Sequence, residues 1–336
     1  MRKRPVTNVG ASIRQRLLNI AREQNEDFGL VLTRYAIERL LYRLSKSRHA
    51  DDFILKGAQL FSLWTEKPHR TTRDLDLLCQ GSPELARLET VFRDLCEQQA
   101  DPPDGLTFGA DSVSAETIRE AAAYDGVRVL VGYEIGGARD RLQIDVGFGD
   151  AVVPAPETVS IPALLDLPAA QMKAYPMEAV VAEKYEAMVA LGMVNSRMKD
   201  YYDIWLLSRQ FEFNGERVCQ AISATFSRRK TPLPTGVPAA LSAEFAADPG
   251  KQTQWRAFVR RSRLAPEAEL NDVVAALRQF LMPPTSAIIA GKPFAMVWSK
   301  HLRALNWNEL AIGGIWESKL NLCGGDSRCG GETGCG

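Results

Sequence analysis

The chain has 336 residues, 46% of them hydrophobic and 24% charged, which is enough for two cores and ordinary for a globular protein. Lys plus Arg equals Asp plus Glu at 41 each, so no global field recruits nucleic acid and any polyanion must be held by a local patch. The basic start Met1-Arg2-Lys3-Arg4-Pro5 leads into no apolar signal core, and no apolar run of about 18 residues occurs, so a cytoplasmic protein without membrane spans is expected.

Residues 10–48 carry apolar positions at helical spacing (Ile13, Leu17, Ile20, then Tyr35, Leu40, Leu44) and predict two helices. Arg14, Arg16 and Arg22 on the first could touch a nucleic-acid backbone, although a solvated face explains them as well. Phe53-Ile54-Leu55-Lys56 reads as a buried strand that turns at Gly57 into a helix from Ala58 to Trp64, whose N-terminal amides would suit a triphosphate. After a loop with Pro68 and His69 comes Arg70-Thr71-Thr72-Arg73-Asp74-Leu75-Asp76-Leu77-Leu78. On a strand, Asp74 and Asp76 share one face while Leu75 and Leu77 enter a core. Two carboxylates one strand period apart repel unless a cation lies between them, and hard oxygen ligands of this kind suit Mg²⁺ with substrate phosphates. A solvated edge strand is the rival explanation of this tripeptide taken alone.

Pro83 to Gln99 predicts an amphipathic helix, and 101–126 has no clear pattern. Val127, Val129, Val131, Tyr133 and Ile135 alternate up to Gly136-Gly137, and Leu142, Ile144, Val146 and Phe148 resume the alternation, which is a hairpin signal. Asp145 falls on the face opposite those apolar residues, as a third strand carboxylate. Ala151 to Pro162 looks irregular and marks a boundary. Glu178 to Met193 predicts a long helix with Glu183 and Lys184 in its middle, and Asp200 to Phe211 another, with Asp200 and Asp203 as neighbours on one face. Helix capping competes with function for Asp200; Asp203 lies beyond the cap. Residues 212–280 read as helical with a break at Thr231 to Pro238. Positive charge gathers there in Arg228-Arg229-Lys230 and Arg256, Arg260, Arg261 and Arg263, either as a solvated face or as the hold on a nucleic-acid acceptor. Cys79, Cys96 and Cys219 are isolated, as for reduced thiols. Cys323, Cys329 and Cys335 lie in a glycine-rich tail from Lys319 that lacks apolar periodicity and reads as disordered.

The ordered set Lys56-Gly57-Ala58, Arg70-x-Thr72-x-Asp74-x-Asp76, Ile144-Asp145-Val146, Glu183-Lys184 with Ala187, and Arg197-x-Lys199-Asp200-Tyr201-Tyr202-Asp203 resembles the AbiEii/AbiGii toxin family of nucleotidyltransferases over roughly residues 25–210. One departure is Ala58, where the family usually has a second small residue, Gly or Ser.

The resemblance implies an α+β fold: a DNA polymerase β-like mixed sheet with flanking helices in residues 1–150, a mainly helical domain in 151–318 completing the site, and the tail 319–336. It further implies a bacterial toxin of a toxin–antitoxin or abortive-infection pair, active in antiviral defence, with an antitoxin encoded elsewhere. Carried over, Asp74, Asp76 and Asp145 would hold Mg²⁺ or Mn²⁺ on an NTP and at an acceptor hydroxyl. Lys56, Gly57 and Ala58 would border the phosphates, and Lys184 or Lys199 would neutralise them. Asp203, with Asp200, would orient that lysine or contact the base. Arg70 and Thr72 would shape the loop or reach phosphate. The acceptor implied is RNA, foremost a tRNA end. Transfer to a protein or small-molecule hydroxyl, and a non-catalytic nucleotide-binding module, are the alternatives.

Overall fold

The computed structural model describes residues 8–65, 72–120, 124–262, 268–299 and 306–309. Arg70, Pro68, His69, Arg263, His301 and the cysteine-bearing tail lie outside them.

Two helices open the described chain, α1 (Val9–Glu23) and α2 (Phe28–Lys46). The Asp27 carboxylate caps α2 by accepting from the Leu30 amide at 3.0 Å. Strand β1 (Phe53–Lys56) follows, then a single 3-10 turn (Gly57–Leu60) and the one-turn helix α3 (Phe61–Trp64). The helical stretch expected from Ala58 to Trp64 is present, its first turn wound as a 3-10 helix and its second as an α-helix. Next come β2 (Asp74–Cys79), α4 (Leu85–Glu97), β3 (Leu106–Phe108) and β4 (Ser114–Glu120). Strands β5 (Tyr124–Ile135) and β6 (Ala138–Phe148) form the expected hairpin. Gly136 (φ 51°) and Gly137 (φ 82°) give it the primed turn that matches strand twist.

The stretch read as irregular holds β7 (Glu157–Ile161), and β8 (Ala170–Ala174) follows it; both join the sheet, which thus draws on residues past 150. Among the described residues this sheet has eight strands in the order β3-β5-β6-β2-β1-β8-β7, with β4 beside β3 on the outer edge of β5. Pairs β2–β6 and β1–β8 are parallel and the others antiparallel. One face presents Phe53, Leu55, Leu75, Leu77, Val127, Val129, Ile144 and Val146, all buried under α1, α2 and α4. Arg39 and Arg43 of α2 lock this layer by reaching buried Asp104 at 3.2 and 2.7 Å.

A helical lobe lies on the opposite, polar side. It comprises α5 (Met177–Leu191), α6 (Met198–Gln210), α7 (Gly215–Arg229), α8 (Ala243–Ala247), α9 (Pro249–Arg261) and α10 (Leu270–Ile289). The short β9 (Phe213–Asn214), which precedes α7, pairs with β10 (Met296–Ser299), and β10 with β11 (Asn306–Glu309), in a second sheet absent from the sequence reading. Trp298 and Trp307 anchor that sheet on Phe280 of α10, with ring centroids 4.9 and 5.6 Å away.

Candidate active site

Strand register builds the site. Lys56 on β1 stands opposite Asp76 on β2, Asp76 beside Asp145 on β6, Asp145 opposite Arg128 on β5, and Arg128 opposite Glu116 on β4. Residues in register project from the same face, so five charged side chains cross the sheet in one row, signed plus, minus, minus, plus, minus. Asp74, exposed one strand period from Asp76, pairs in register with Gln143. The three carboxylates singled out in the sequence thus share one face, in two adjoining registers of neighbouring strands.

Arg128 grips Asp145 with both arms: Nε donates to Oδ1 at 2.8 Å and Nη2 to Oδ2 at 2.9 Å. Gln143 Nε2 adds a contact to Oδ2 at 3.3 Å. Hydrogen bonding to Asp145, with the charges of Asp145, Asp74 and Glu116, holds the Arg128 guanidinium above its ordinary pKa despite partial burial. Gly57 (φ 73°) sits against Asp76, and a Cβ there would land on the Asp76 carboxylate. Only glycine satisfies both the backbone and the approach.

Lys56 is almost fully buried, and its side chain lies over Gly147. Its ammonium reaches Asp150 at 3.1 Å and Glu183 of α5 at 3.9 Å. Arg229 of α7 closes the cluster on Asp150 (3.2 Å), Glu183 (3.5 Å) and Glu186 (2.9 Å), and the Thr231 hydroxyl donates to Glu186. Burial would raise the Asp150 carboxyl, but Lys56 and Arg229 outweigh it and hold the group below its usual range. For Glu183 burial wins over the same two cations and pushes the carboxyl up.

Lys184, the next residue of α5, turns the other way, to Asp200 at 2.6 Å and Asp203 at 2.9 Å on α6. Both aspartates are fully buried, and Arg197 Nε meets the second oxygen of Asp200 at 2.6 Å. Asp200 thus lies in the first turn of α6, where an acid suits the helix dipole, and its oxygens also meet two cations. Burial acts to raise its carboxyl and those cations pull it below the ordinary value. The structure brings Lys184 onto this pair; Lys199 is exposed on the first turn of α6. Ala58 is half-buried in the 3-10 turn, and the Thr72 hydroxyl leans on the Asp74 carbonyl at 3.4 Å. Arg128, Glu116 and Asp150 escaped the sequence reading, and Arg229 was read only as part of a basic run. Alternation on β5, with Arg128 between Val127 and Val129, was the available signal for the first; Arg229 belongs to this buried cluster rather than to a solvated run.

Among the described residues no three His, Cys, Asp or Glu side chains converge closely enough to clasp a metal ion. Asp145 is instead engaged by Arg128 and by Gln143. The donor set still fits a hard divalent cation: three carboxylates on one polar face, with Gly57 keeping that face open beside Asp76.

A family model described as "Nucleotidyl transferase AbiEii toxin, Type IV TA system" matches residues 39–281. The chain belongs to the AbiEii nucleotidyltransferase toxin family. The match runs from within α2 into α10 and so takes in both the sheet and the acids of α6. As a type IV toxin–antitoxin family, AbiEii implies an antitoxin partner. None of the curated proteins matches the chain. Among solved structures it is similar to a candidate nucleotidyltransferase from H. pylori (14% identity, TM-score 0.43, covering 84% of this chain and 98% of that one). It is likewise similar to JHP933 from Helicobacter pylori (15% identity, TM-score 0.42, covering 75% and 90%). Likeness at that level is slight, and the AbiEii assignment rests on the family match. No described helix is long and apolar enough to cross a membrane.

Proposed function

We propose that this AbiEii protein transfers a nucleotide from a metal-bound NTP to RNA, at the 3′ end of tRNA, in the bacterial cytoplasm as part of antiviral defence. The observation that carries the reading is the registration of Asp76 with Asp145, with Asp74 one period away on the same face. Asp74 and Asp76, joined by Asp145 once Arg128 gives way, would hold Mg²⁺ or Mn²⁺, which neutralises phosphate charge and acidifies an acceptor hydroxyl. In the transfer the acceptor oxygen bonds to the α-phosphorus as its proton passes to water, and the bond from the α-phosphorus to the bridging oxygen breaks to release pyrophosphate.

The chain's own residues orient and balance charge. Gly57 and Ala58 let the backbone approach the phosphates beside Asp76, and Lys56 supplies a fixed positive charge at the end of the row. Lys184, held by Asp200 and Asp203, or Lys199 would neutralise charge on the triphosphate, and Thr72 and Arg70 would shape the loop or reach phosphate. The test is incubation of purified protein with Mg²⁺, each labelled NTP in turn and a total tRNA pool. Label should enter tRNA with one nucleotide preferred, and Asp76→Asn should abolish it. Label found on protein or on small molecules instead would replace the acceptor; no transfer at all with intact NTP binding would make this a binding module.

A further inference from the structure

Arg128 takes one acceptor site on each oxygen of Asp145 and Gln143 Nε2 takes a third, which leaves a cation shared with Asp76 about one of the carboxylate's roughly four sites. A guanidinium and a divalent ion within a few ångströms also repel, so both cannot hold Asp145 in this arrangement. Arg128 has somewhere else to go. Glu116 stands directly across from it on β4, exposed and on the same face, and already acts on its charge. The arginine side chain is 32% exposed, against 14% for Asp145, so it can swing toward β4 without opening the core.

We propose that Arg128 is an internal counter-ion that closes Asp145 in the metal-free protein and competes with the divalent cation for it, shifting to Glu116 when the cation binds. The inference rests on the metal-dependent reading above. Arg128 is a positioning residue in this scheme, since it acts through Asp145, and it keeps the carboxylate row from repelling itself apart before substrate arrives.

The experiment is titration of the full chain with Mn²⁺ alone, without nucleotide, followed by loss of the free-ion electron paramagnetic resonance signal. Removing a unit charge beside a divalent ion should tighten binding about tenfold in Arg128→Gln, even with the screening of bulk water. Arg128→Met carries the same expectation and serves if the first variant does not fold. Glu116→Gln should bind Mn²⁺ more weakly than wild type, because the displaced arginine loses its second carboxylate. The gain in Arg128→Gln should vanish when Asp145→Asn is added. Unchanged or weaker Mn²⁺ binding in the Arg128 variants, with wild type binding normally, would overturn the inference alone, as for an arginine that merely holds Asp145 in place. No Mn²⁺ binding in any variant would overturn the metal-dependent reading and this inference with it.

Discussion

At the scale of single residues, Gly57 is the most constrained position in the site. Its left-handed φ costs a substituted residue strain on the order of 1–3 kcal/mol, and any Cβ must displace the Asp76 carboxylate. Gly57→Ala is expected to fold with a lowered thermal midpoint and to lose nucleotide transfer; retention of full transfer would show that Asp76 tolerates displacement. The carboxylates themselves were legible in the sequence, because strand alternation assigns a face without any knowledge of neighbours. What alternation does not show is which side chain stands across the ladder. The partnership of Asp145 with Arg128 and the burial of Glu183 depend on register and on a helix folding back, and both stayed hidden.

At the scale of elements, α5 ties the sheet to the helical lobe. Glu183 and Glu186 meet Arg229 of α7, and Glu183 also meets Lys56 of β1. Three carboxylates (Asp150, Glu183, Glu186) share two cations there, so the members are not equivalent. Arg229→Met leaves three buried acids on Lys56 and should destabilise by about 3–5 kcal/mol in chemical denaturation. Glu183→Gln instead balances the cluster. Because the folded protein holds the Glu183 proton above the ordinary value of 4.5, its favourable contribution is complete below that value and is lost as pH rises through the raised one. Asp150 behaves oppositely, contributing above its ordinary value and failing as pH falls through its lowered one. Stability of Glu183→Gln relative to wild type is therefore expected to improve as pH rises from about 4.5; a constant difference across that range would show that Glu183 is ionised throughout.

At the scale of the whole molecule, the long amphipathic helices and the β5–β6 hairpin were readable because their signals are local. Strands β7 and β8 were missed because proline-rich sequence conceals short pairings, and β9 to β11 because they are only two to four residues long and β9 meets β10 across the length of α7 to α10. The second sheet is nonetheless a structural anchor. Trp298 is buried, donates from its indole to the Ser208 carbonyl at 2.6 Å, and packs on Phe280. Trp298→Ala should cost about 3–5 kcal/mol, read as a shift in the denaturation midpoint, and should loosen α6 and with it the seat of Lys184.

The parallel pairing of β2 with β6 also bears on when such a protein becomes harmful to its maker. Asp74 and Asp76 leave the ribosome early, yet the strand that completes their row is translated only after α4 and the intervening edge strands, and Arg229 later still. A nascent or prematurely terminated chain therefore carries Asp74 and Asp76 without Asp145 beside them, and on the proposed reading such a chain has no complete carboxylate row.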